Sequence, residues 1–210
     1  MPVLAYILTA LAAYLLGSIP FGFLAAKAKG IDIRSVGSGN IGATNAMRVL
    51  GKPIGIAVLL LDALKGFFAV GIGYFIANHY GFGGTEIETP RIIAGIGAVL
   101  GHNYTCWLKF KGGKGIATTA GVYLALAPWP LLIALVVFIL AVVLTKYISV
   151  GSITAAIALP AAVWVMTPHN LFLGIVTTAL GVLAIYKHKS NIQRLLAGTE
   201  NRFGQKKDTK

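Results

Sequence analysis

The sequence predicts an all-α integral membrane protein with seven transmembrane helices, and three observations support this fold class. Hydrophobic side chains make up 57% of the 210 residues, and charged side chains only 11%, well below the roughly 25% of a soluble domain. Apolar runs alternate with short polar or basic breaks along the whole chain. The lysines and arginines concentrate in every second break, as they do in cytoplasmic loops. We therefore expect a single transmembrane domain over residues 1–210.

Seven apolar runs account for the predicted spans. A span needs about 20 residues; the first, second, sixth and seventh runs fit this length, whereas the third, fourth and fifth are shorter. A turn at Pro128-Trp129-Pro130 is expected to separate the fourth run from the fifth. The predicted spans are Val3–Ala26, Pro53–Ala77, Arg91–Leu108, Gly115–Ala127, Leu131–Thr145, Tyr147–Met166 and His169–Tyr186. The short helices flank one loop, which indicates a site recessed below the cytoplasmic membrane surface.

The distribution of charge predicts the orientation of the chain. The breaks after spans one, three and five, together with a basic tail at about 187–210, hold nearly all the lysines and arginines, whereas the opposite side has only Arg91 beside two glutamates. The positive-inside rule places the basic side in the cytoplasm, so the N-terminus is outside and the C-terminus inside. The net charge of +12 reflects this topology and attraction to anionic lipid, not a nucleic-acid partner. The first run is too long for a signal peptide and lacks its basic start, so we expect it to remain as a span.

Three segments on the basic side contain more polar residues than the topology signal requires. The first is DIRSVGSGNIGATNAMR, residues 32–48. Its glycines match GxGxxG, but a membrane helix precedes them instead of the strand that a dinucleotide fingerprint needs. Glycine backbone can still approach an anion closely. The neutral donors are Ser38, Asn40, Thr44 and Asn45, and the cationic donors are Arg34 and Arg48. The alternative is a re-entrant turn with packing glycines.

The second segment is FKGGKG, residues 110–115, between WLKF and IATTAGVYLALAP. It is not a Walker A loop, because Gly115 follows Lys114 where that motif has serine or threonine. We expect free N–H groups at Gly112, Gly113 and Gly115 to open the fourth helix, where the helix dipole favours an anion. Lys114 adds a full positive charge. The alternative is a flexible basic loop that anchors to lipid headgroups.

The third segment is YKHKSNIQRLLAGTENRFG, residues 186–204. His188 and Asn191 share a face if the last helix continues through them, and Glu200 is the only carboxylate there besides Asp208. The alternative is an amphipathic tail that lies on the membrane.

Ionisable groups also lie within the apolar runs. Asp62 and Lys65 stand three apart in the second span, where such groups are costly unless they pair or face a cavity. The sequence leaves open a structural ion pair or a catalytic role. It equally leaves open whether His102 is a packing histidine.

The phrases GSGNIGATNAMR, GH…FKGGKG and HKSNIQRLLAGTEN, in this order on one side of the membrane, closely resemble the PlsY family of bacterial acyl-phosphate:glycerol-3-phosphate acyltransferases. The resemblance covers nearly the whole chain, DALKG in the second span included. Members often have proline where Thr105 stands, a departure that removes no functional group. The resemblance implies transfer of a fatty acyl group from acyl phosphate to the 1-hydroxyl of glycerol 3-phosphate in the bacterial inner membrane, giving lysophosphatidic acid and phosphate.

The resemblance also implies site residues. The catalytic set is Ser38, Arg48, Lys114, His188 and Asn191, and the binding set is Gly39, Asn40, Thr44, Asn45, Gly112, Gly113, Gly115 and Glu200. Acyl phosphate is already activated, so an acyl-enzyme is not required. Ser38 is accordingly interpreted as a phosphate-binding donor, because no local order supplies the base that a serine nucleophile needs. The hydroxyl proton goes to His188 or to the substrate's own phosphate.

No metal cluster, nucleotide motif or second cysteine accompanies these segments, so we expect no cofactor. The number of spans is compatible with a monomer. The main rival function is a small transporter of organic phosphate, which would place its site near the bilayer midplane between inverted repeats. Here the polar segments gather on one face, the predicted span count is odd and no repeat is found, so the sequence favours the enzyme.

Overall fold

Helices make up nearly all the regular structure of the chain. The computed structural model describes residues 2–204, and this range contains no strand, which confirms the all-α class. The α-helices are α1 (Pro2–Ser18), α2 (Phe21–Lys27), α3 (Ala43–Leu50), α4 (Lys52–His79), α5 (Glu88–Asn103), α6 (Ile116–Leu126), α7 (Pro128–Thr145), α8 (Ile148–Met166), α9 (Leu171–Lys187) and α10 (Lys189–Leu196), with 3₁₀ helices at Gly84–Ile87 and Cys106–Leu108.

Four helical stretches within residues 2–204 are long and apolar enough to cross a bilayer, and the bent pair α9–α10 would make a fifth. The four are Pro2–Lys27, Lys52–His79, Pro128–Thr145 and Ile148–Met166. Helix length therefore does not confirm seven spans. The third and fourth predicted spans are short, as expected: α5 has 16 residues and α6 has 11. They extend only about 24 and 16 Å at 1.5 Å per residue, against a hydrocarbon core of about 30 Å.

The fifth predicted span is longer than the sequence indicated. The expected turn at residues 128–130 is wrong, because α7 begins at Pro128 and runs for 18 residues. Proline is tolerated in the first turn of a helix, where its missing N–H would have no intrahelical partner. The first turn closes when the Leu131 N–H donates to the Ala127 carbonyl, at 3.2 Å.

Packing groups the helices into two compact units, Met1–Leu126 and Ala127–Lys210. In the first unit α4 contacts α1, α3, α5 and α6, so it is the common support of that unit. In the second unit α8 packs against both α7 and α9. The expectation of a single domain stays a prediction. The last six residues of the predicted basic tail, 205–210, lie outside the described residues.

Small residues allow the helices of the first unit to approach closely. A Cβ at Gly17 of α1 would collide with the backbone of Ala98 in α5, and a Cβ at Gly121 of α6 would collide with the Ala63 carbonyl in α4. Helices in membranes gain their packing energy from such close contact, because apolar side chains gain nothing by leaving lipid. This packing fixes α4 and α5, which carry the first two polar segments.

Candidate active site

The first polar segment is a loop pinned at both ends. Ile33 and Ile41 are buried in an apolar cluster that includes Ala46 of α3 and Val58 of α4, whereas most of residues 34–40 between them are exposed. The segment is therefore anchored on α4 and presents its polar stretch to the outside of the unit.

Asn45 organises this loop. Its amide nitrogen donates to three backbone carbonyls, those of Ile33 (3.3 Å), Val36 (3.1 Å) and Asn40 (2.9 Å). Its Oδ1 accepts the Ser38 N–H at 2.8 Å and lies 3.4 Å from Arg48 Nη1, which donates to it. Asn45 is only 2% exposed. Its polar atoms are thus used within the loop, and its predicted contact with phosphate stays a prediction.

Through Asn45 the loop brings together Ser38 and Arg48, which stand ten positions apart. Both residues are exposed, and both bind the same amide oxygen. The loop thus holds Ser38, through its backbone N–H, and the forked guanidinium of Arg48 close to each other at the surface of the unit. Such a pair can bind a phosphate group, because charge-assisted hydrogen bonds from a guanidinium are strong and often bidentate.

Other predicted binding residues lie in or beside the same loop. Gly39 has a φ of 71°, a left-handed conformation that glycine adopts without steric cost. Asn40 accepts the Gly42 N–H through its side-chain oxygen at 2.9 Å, as in an Asx turn. Thr44 is exposed in the first turn of α3.

The second arginine of the segment, Arg34, has a different partner. Its guanidinium donates twice to the Asp32 carboxylate, at 2.9 and 2.8 Å, and lies over the Phe23 ring with 5.0 Å to the centroid. These hydrogen bonds stabilise the charged carboxylate and lower the pKa of Asp32 to about 2. Arg34 is therefore engaged in a surface ion pair, whereas Arg48 lies beside Ser38.

The second segment, FKGGKG, folds back onto the end of α5. The Gly112 N–H donates to the Asn103 carbonyl at 3.2 Å, and the Gly113 N–H donates to the His102 carbonyl at 3.0 Å. The expectation that these two amides are free is wrong, because the last carbonyls of α5 have no intrahelical donors and take the loop amides as partners. The predicted contact of these glycines with phosphate stays a prediction.

Close approach explains why this loop contains glycine. A Cβ at Gly112 would collide with the His102 carbonyl oxygen, and a Cβ at Gly113 would collide with His102 Nε2. Gly115 has a φ of 85°, and a Cβ there would meet Asn103 Oδ1 at 2.8 Å. Lys114 lies half-buried between these glycines, two residues before Ile116, the first residue of α6.

FKGGKG begins in a tight turn. Lys109 and Phe110 are both left-handed, with φ of 53° and 59°, which is uncommon for residues other than glycine. The Phe110 N–H donates to the Thr105 carbonyl at 3.0 Å. The Thr105 hydroxyl donates to the Ser18 carbonyl at the end of α1, at 2.6 Å. The threonine that departs from the family pattern thus connects this turn to the break between α1 and α2.

A buried polar network lies beneath the loop. Lys65 Nζ is 2.7 Å from Asp62 Oδ1 and donates to the Ile19 carbonyl at 2.8 Å. His102 Nδ1 is 3.4 Å from the same Asp62 oxygen. The three side chains are at most 6% exposed. Of the two roles that the sequence left open for Asp62 and Lys65, this geometry favours the ion pair.

The second unit contains His188 at the junction of two helices. The structure ends α9 at Lys187, and α10 is bent from it by 52°, so the last helix does not continue straight. His188 is buried, and its Nδ1 lies 2.8 Å from the Ala184 carbonyl. A carbonyl only accepts, so this contact places the proton on Nδ1 and leaves the lone pair of the neutral ring on Nε2.

Asn191 and Glu200 form one cluster with the start of α8. The Asn191 backbone N–H donates to the His188 carbonyl at 2.8 Å. Glu200 accepts hydrogen bonds from Asn191 Nδ2 at 2.7 Å, from Ser149 Oγ at 3.1 Å and from Arg194 Nε at 2.7 Å. Glu200 therefore orients Asn191, and its predicted contact with substrate stays a prediction.

Two features of these clusters were missed in the sequence. Asn45 was predicted to be one donor among several, although it organises its whole loop. His102 was not connected with Asp62 and Lys65. Three ionisable side chains in two apolar runs were the available signal, since such groups seek one another when they are buried.

Comparison with known proteins gives a consistent result. The family model described as glycerol-3-phosphate acyltransferase matches residues 7–198. The chain is 50% identical over 198 residues to the glycerol-3-phosphate acyltransferase of Geobacter sulfurreducens, covering 94% of this chain and 96% of the relative. It is 46% identical to that of Fusobacterium nucleatum, covering 90% of this chain and 94% of the relative.

Two solved structures are similar along nearly the whole length. Both are of PlsY, an integral membrane glycerol 3-phosphate acyltransferase, one in its glycerol 3-phosphate form and one in its lysophosphatidic acid form. The first has a TM-score of 0.85 at 40% identity and covers 95% of this chain and 96% of its own. The second has a TM-score of 0.79 at 41% identity and covers 95% of each chain.

Proposed function

The chain belongs to the glycerol-3-phosphate acyltransferase family, and from this premise we propose that it transfers a fatty acyl group from acyl phosphate to the 1-hydroxyl of glycerol 3-phosphate. It is an acyltransferase and a multi-pass membrane protein, as its relatives and apolar helices indicate. The products of the proposed reaction are lysophosphatidic acid and inorganic phosphate. The family assignment favours this function over transport of an organic phosphate.

The observation that carries the proposal is the convergence of Ser38 and Arg48 on Asn45 Oδ1. Both substrates carry a phosphate group, and the exposed guanidinium of Arg48 is suited to bind one, with the exposed residue Ser38 held close to it by the bond of its backbone N–H to the same amide oxygen. Lys114, in the glycine loop of the same unit, supplies a second positive charge. The likeness to a structure in a glycerol 3-phosphate form supports this substrate.

The proposed chemistry is direct attack. The 1-hydroxyl oxygen forms a bond to the acyl carbonyl carbon, and the bond from that carbon to the phosphate oxygen breaks, so phosphate leaves with the electron pair. Lys114 and Arg48 neutralise the negative charge that develops on the leaving phosphate and on the tetrahedral oxyanion. Ser38 holds phosphate and forms no acyl-enzyme.

The hydroxyl proton must be accepted as the new bond forms. Two acceptors fit: the substrate's own phosphate, and His188 through the lone pair on Nε2. Asn191, which Glu200 orients, is proposed to act beside His188. A His188→Gln variant separates the two acceptors. Loss of the titration near neutral pH from the kcat profile indicates histidine as the base, whereas its retention indicates the substrate phosphate.

The donor and the reaction are tested with purified protein in detergent. We expect phosphate release that requires both acyl phosphate and glycerol 3-phosphate, with one lysophosphatidic acid formed for each phosphate released. Acylation from an acyl thioester but not from acyl phosphate would contradict the proposed donor. Counterflow of glycerol 3-phosphate across vesicles without acylation would support the transporter instead.

We further propose seven spans in the bacterial inner membrane, with the N-terminus outside and the active site open to the cytoplasm. The charge distribution supports this topology. In a Cys106→Ser background, Thr85→Cys and Ala197→Cys place single exposed thiols on opposite predicted sides. An impermeant thiol reagent should label Thr85→Cys in right-side-out vesicles and Ala197→Cys only in inverted ones. The reverse pattern would overturn the topology.

A further inference from the structure

We propose that Asp62, acting through His102, is a positioning residue that sets the place of Lys114 in the FKGGKG loop. The inference rests on the proposed function, because it concerns a loop assigned to phosphate binding. The inference extends that function, because it gives the buried Asp62 carboxylate of α4 an indirect role in substrate binding, without contact with the substrate.

Asp62 lies between two partners. Its Oδ1 lies 2.7 Å from Lys65 Nζ on the same helix and 3.4 Å from His102 Nδ1 on α5. Lys65 also donates to the Ile19 carbonyl, so Lys65 has a second partner, in the break between α1 and α2. A purely structural pair would need only Lys65, whereas this carboxylate also faces the ring at the end of α5.

His102 contacts the FKGGKG loop through both its backbone and its ring. Its carbonyl accepts the Gly113 N–H at 3.0 Å, and its Nε2 occupies the place that a Cβ of Gly113 would take. The ring thus faces Asp62 on one side, with Nδ1 3.4 Å from Oδ1, and lies against the loop on the other. Because protein interiors are closely packed, a displaced ring must displace Gly113 and with it the adjacent Lys114.

Two double variants isolate the role of Asp62. Asp62→Leu/Lys65→Leu and Asp62→Asn/Lys65→Leu both remove the charge pair as a whole, which avoids leaving one buried charge alone. They differ in that asparagine keeps a polar side-chain atom that can face His102 Nδ1, whereas leucine has none. Any effect of losing Lys65 is common to both double variants, so a difference between them reports on the residue at position 62.

The measurement is KM for glycerol 3-phosphate and for acyl phosphate, with kcat and thermal melting. A smaller folded fraction lowers the maximal rate but leaves KM unchanged, so KM separates positioning from structure. We expect Asp62→Leu/Lys65→Leu to raise at least one KM about tenfold, an effect of the size that a small misplacement in a binding site can produce. Asp62→Asn/Lys65→Leu should stay within about threefold of wild type.

Equal KM values in the two variants, whether both unchanged or both raised, would overturn the inference. His102→Phe serves as a second test that leaves the Asp62–Lys65 pair intact. It keeps a ring beneath Gly113 but removes both ring nitrogens, including the Nδ1 that faces Asp62, so a KM rise of the same size is expected, and unchanged KM values would contradict the proposal. Failure of the wild-type protein to release phosphate from the two substrates would instead count against the proposed function.

Discussion

In the two glycine-rich segments of the first unit, residues 32–48 and FKGGKG, glycine is needed for different physical reasons at Gly39 and at the pair Gly112 and Gly113. In the first, Gly39 has a φ of 71°, so glycine is needed there for backbone conformation. In the second, Gly112 and Gly113 lie where any Cβ would collide with His102, so glycine is needed for close approach to α5. The sequences alone look alike, since both combine glycine with a basic residue.

The difference shows where an anion can be bound. In the first segment a single side chain, Asn45, arranges the backbone, and in the second the carbonyls that end α5 occupy two of the loop amides. Neither segment therefore offers the full row of free amides of a nucleotide-binding loop. The cationic side chains Arg48 and Lys114 should consequently supply most of the charge stabilisation.

The largest expected effect is that of Lys114→Ala. Removing a charge-assisted contact from a developing anion costs about 3–4 kcal/mol, or on the order of 10²–10³ in rate. Turnover should fall by this factor while the melting temperature stays near that of wild type. Lys111→Ala is the matched control, because Lys111 is exposed on the same loop, and it should keep most of its activity. If Lys114→Ala retained more than about a tenth of wild-type turnover, the loop would not act at the reacting centre.

Ser38→Ala should have the next largest effect. The hydroxyl is assigned as a phosphate donor, and losing one donor costs on the order of 1–3 kcal/mol, or roughly 5- to 200-fold in rate. The loop should stay folded, because its backbone bond to Asn45 does not involve the hydroxyl. Rapid quench with labelled acyl phosphate should trap no acyl group on the wild-type protein. An acyl group recovered on Ser38 would show that the serine is a nucleophile.

Features of the fold that depend on composition could be predicted from the sequence, whereas contacts between individual residues could not. The all-helical class followed from apolar content, and the short α5 and α6 followed from run length. Pro128 was interpreted as a turn, because proline usually breaks a helix interior, whereas its position in the first turn depends on where the preceding helix stops. The bonding of Gly112 and Gly113 could not be predicted, since it depends on how the loop folds back onto the end of α5.

The candidate site shows the same division. Motif spacing predicted which segments form the site, because polar residues are costly in a membrane protein unless they are used. It could not distinguish Asn45, which is almost fully buried, from the exposed Thr44 beside it. That distinction arises from the burial of Ile33 and Ile41, which sets the path of the loop around Asn45.

A pair of glycine variants tests the comparison directly. Gly112→Ala adds one methyl group against the His102 carbonyl, and such overpacking costs about 1–3 kcal/mol, so turnover should fall about tenfold. Gly39→Asn adds a larger side chain, but asparagine tolerates the left-handed conformation, so turnover should fall no more than about threefold. Assays of both variants check this order. A milder effect of the smaller substitution would mean that close approach is not the reason for glycine at Gly112.

The smallest effect is expected at the exposed ion pair of Asp32 and Arg34. The hydrogen bonds from Arg34 lower the pKa of Asp32 to about 2. Because this pKa lies below that of an ordinary carboxyl group, any stabilisation from the pair is fully present above the ordinary value and is lost only as the pH falls toward about 2. The pair is therefore unchanged between pH 5 and 8, and an exposed pair contributes little at any pH. Asp32→Asn should keep turnover within about twofold of wild type, with a pH profile of the same shape over that range. A change in the shape of that profile would show that Asp32 and Arg34 take part in the charge stabilisation that we propose for Arg48 and Lys114.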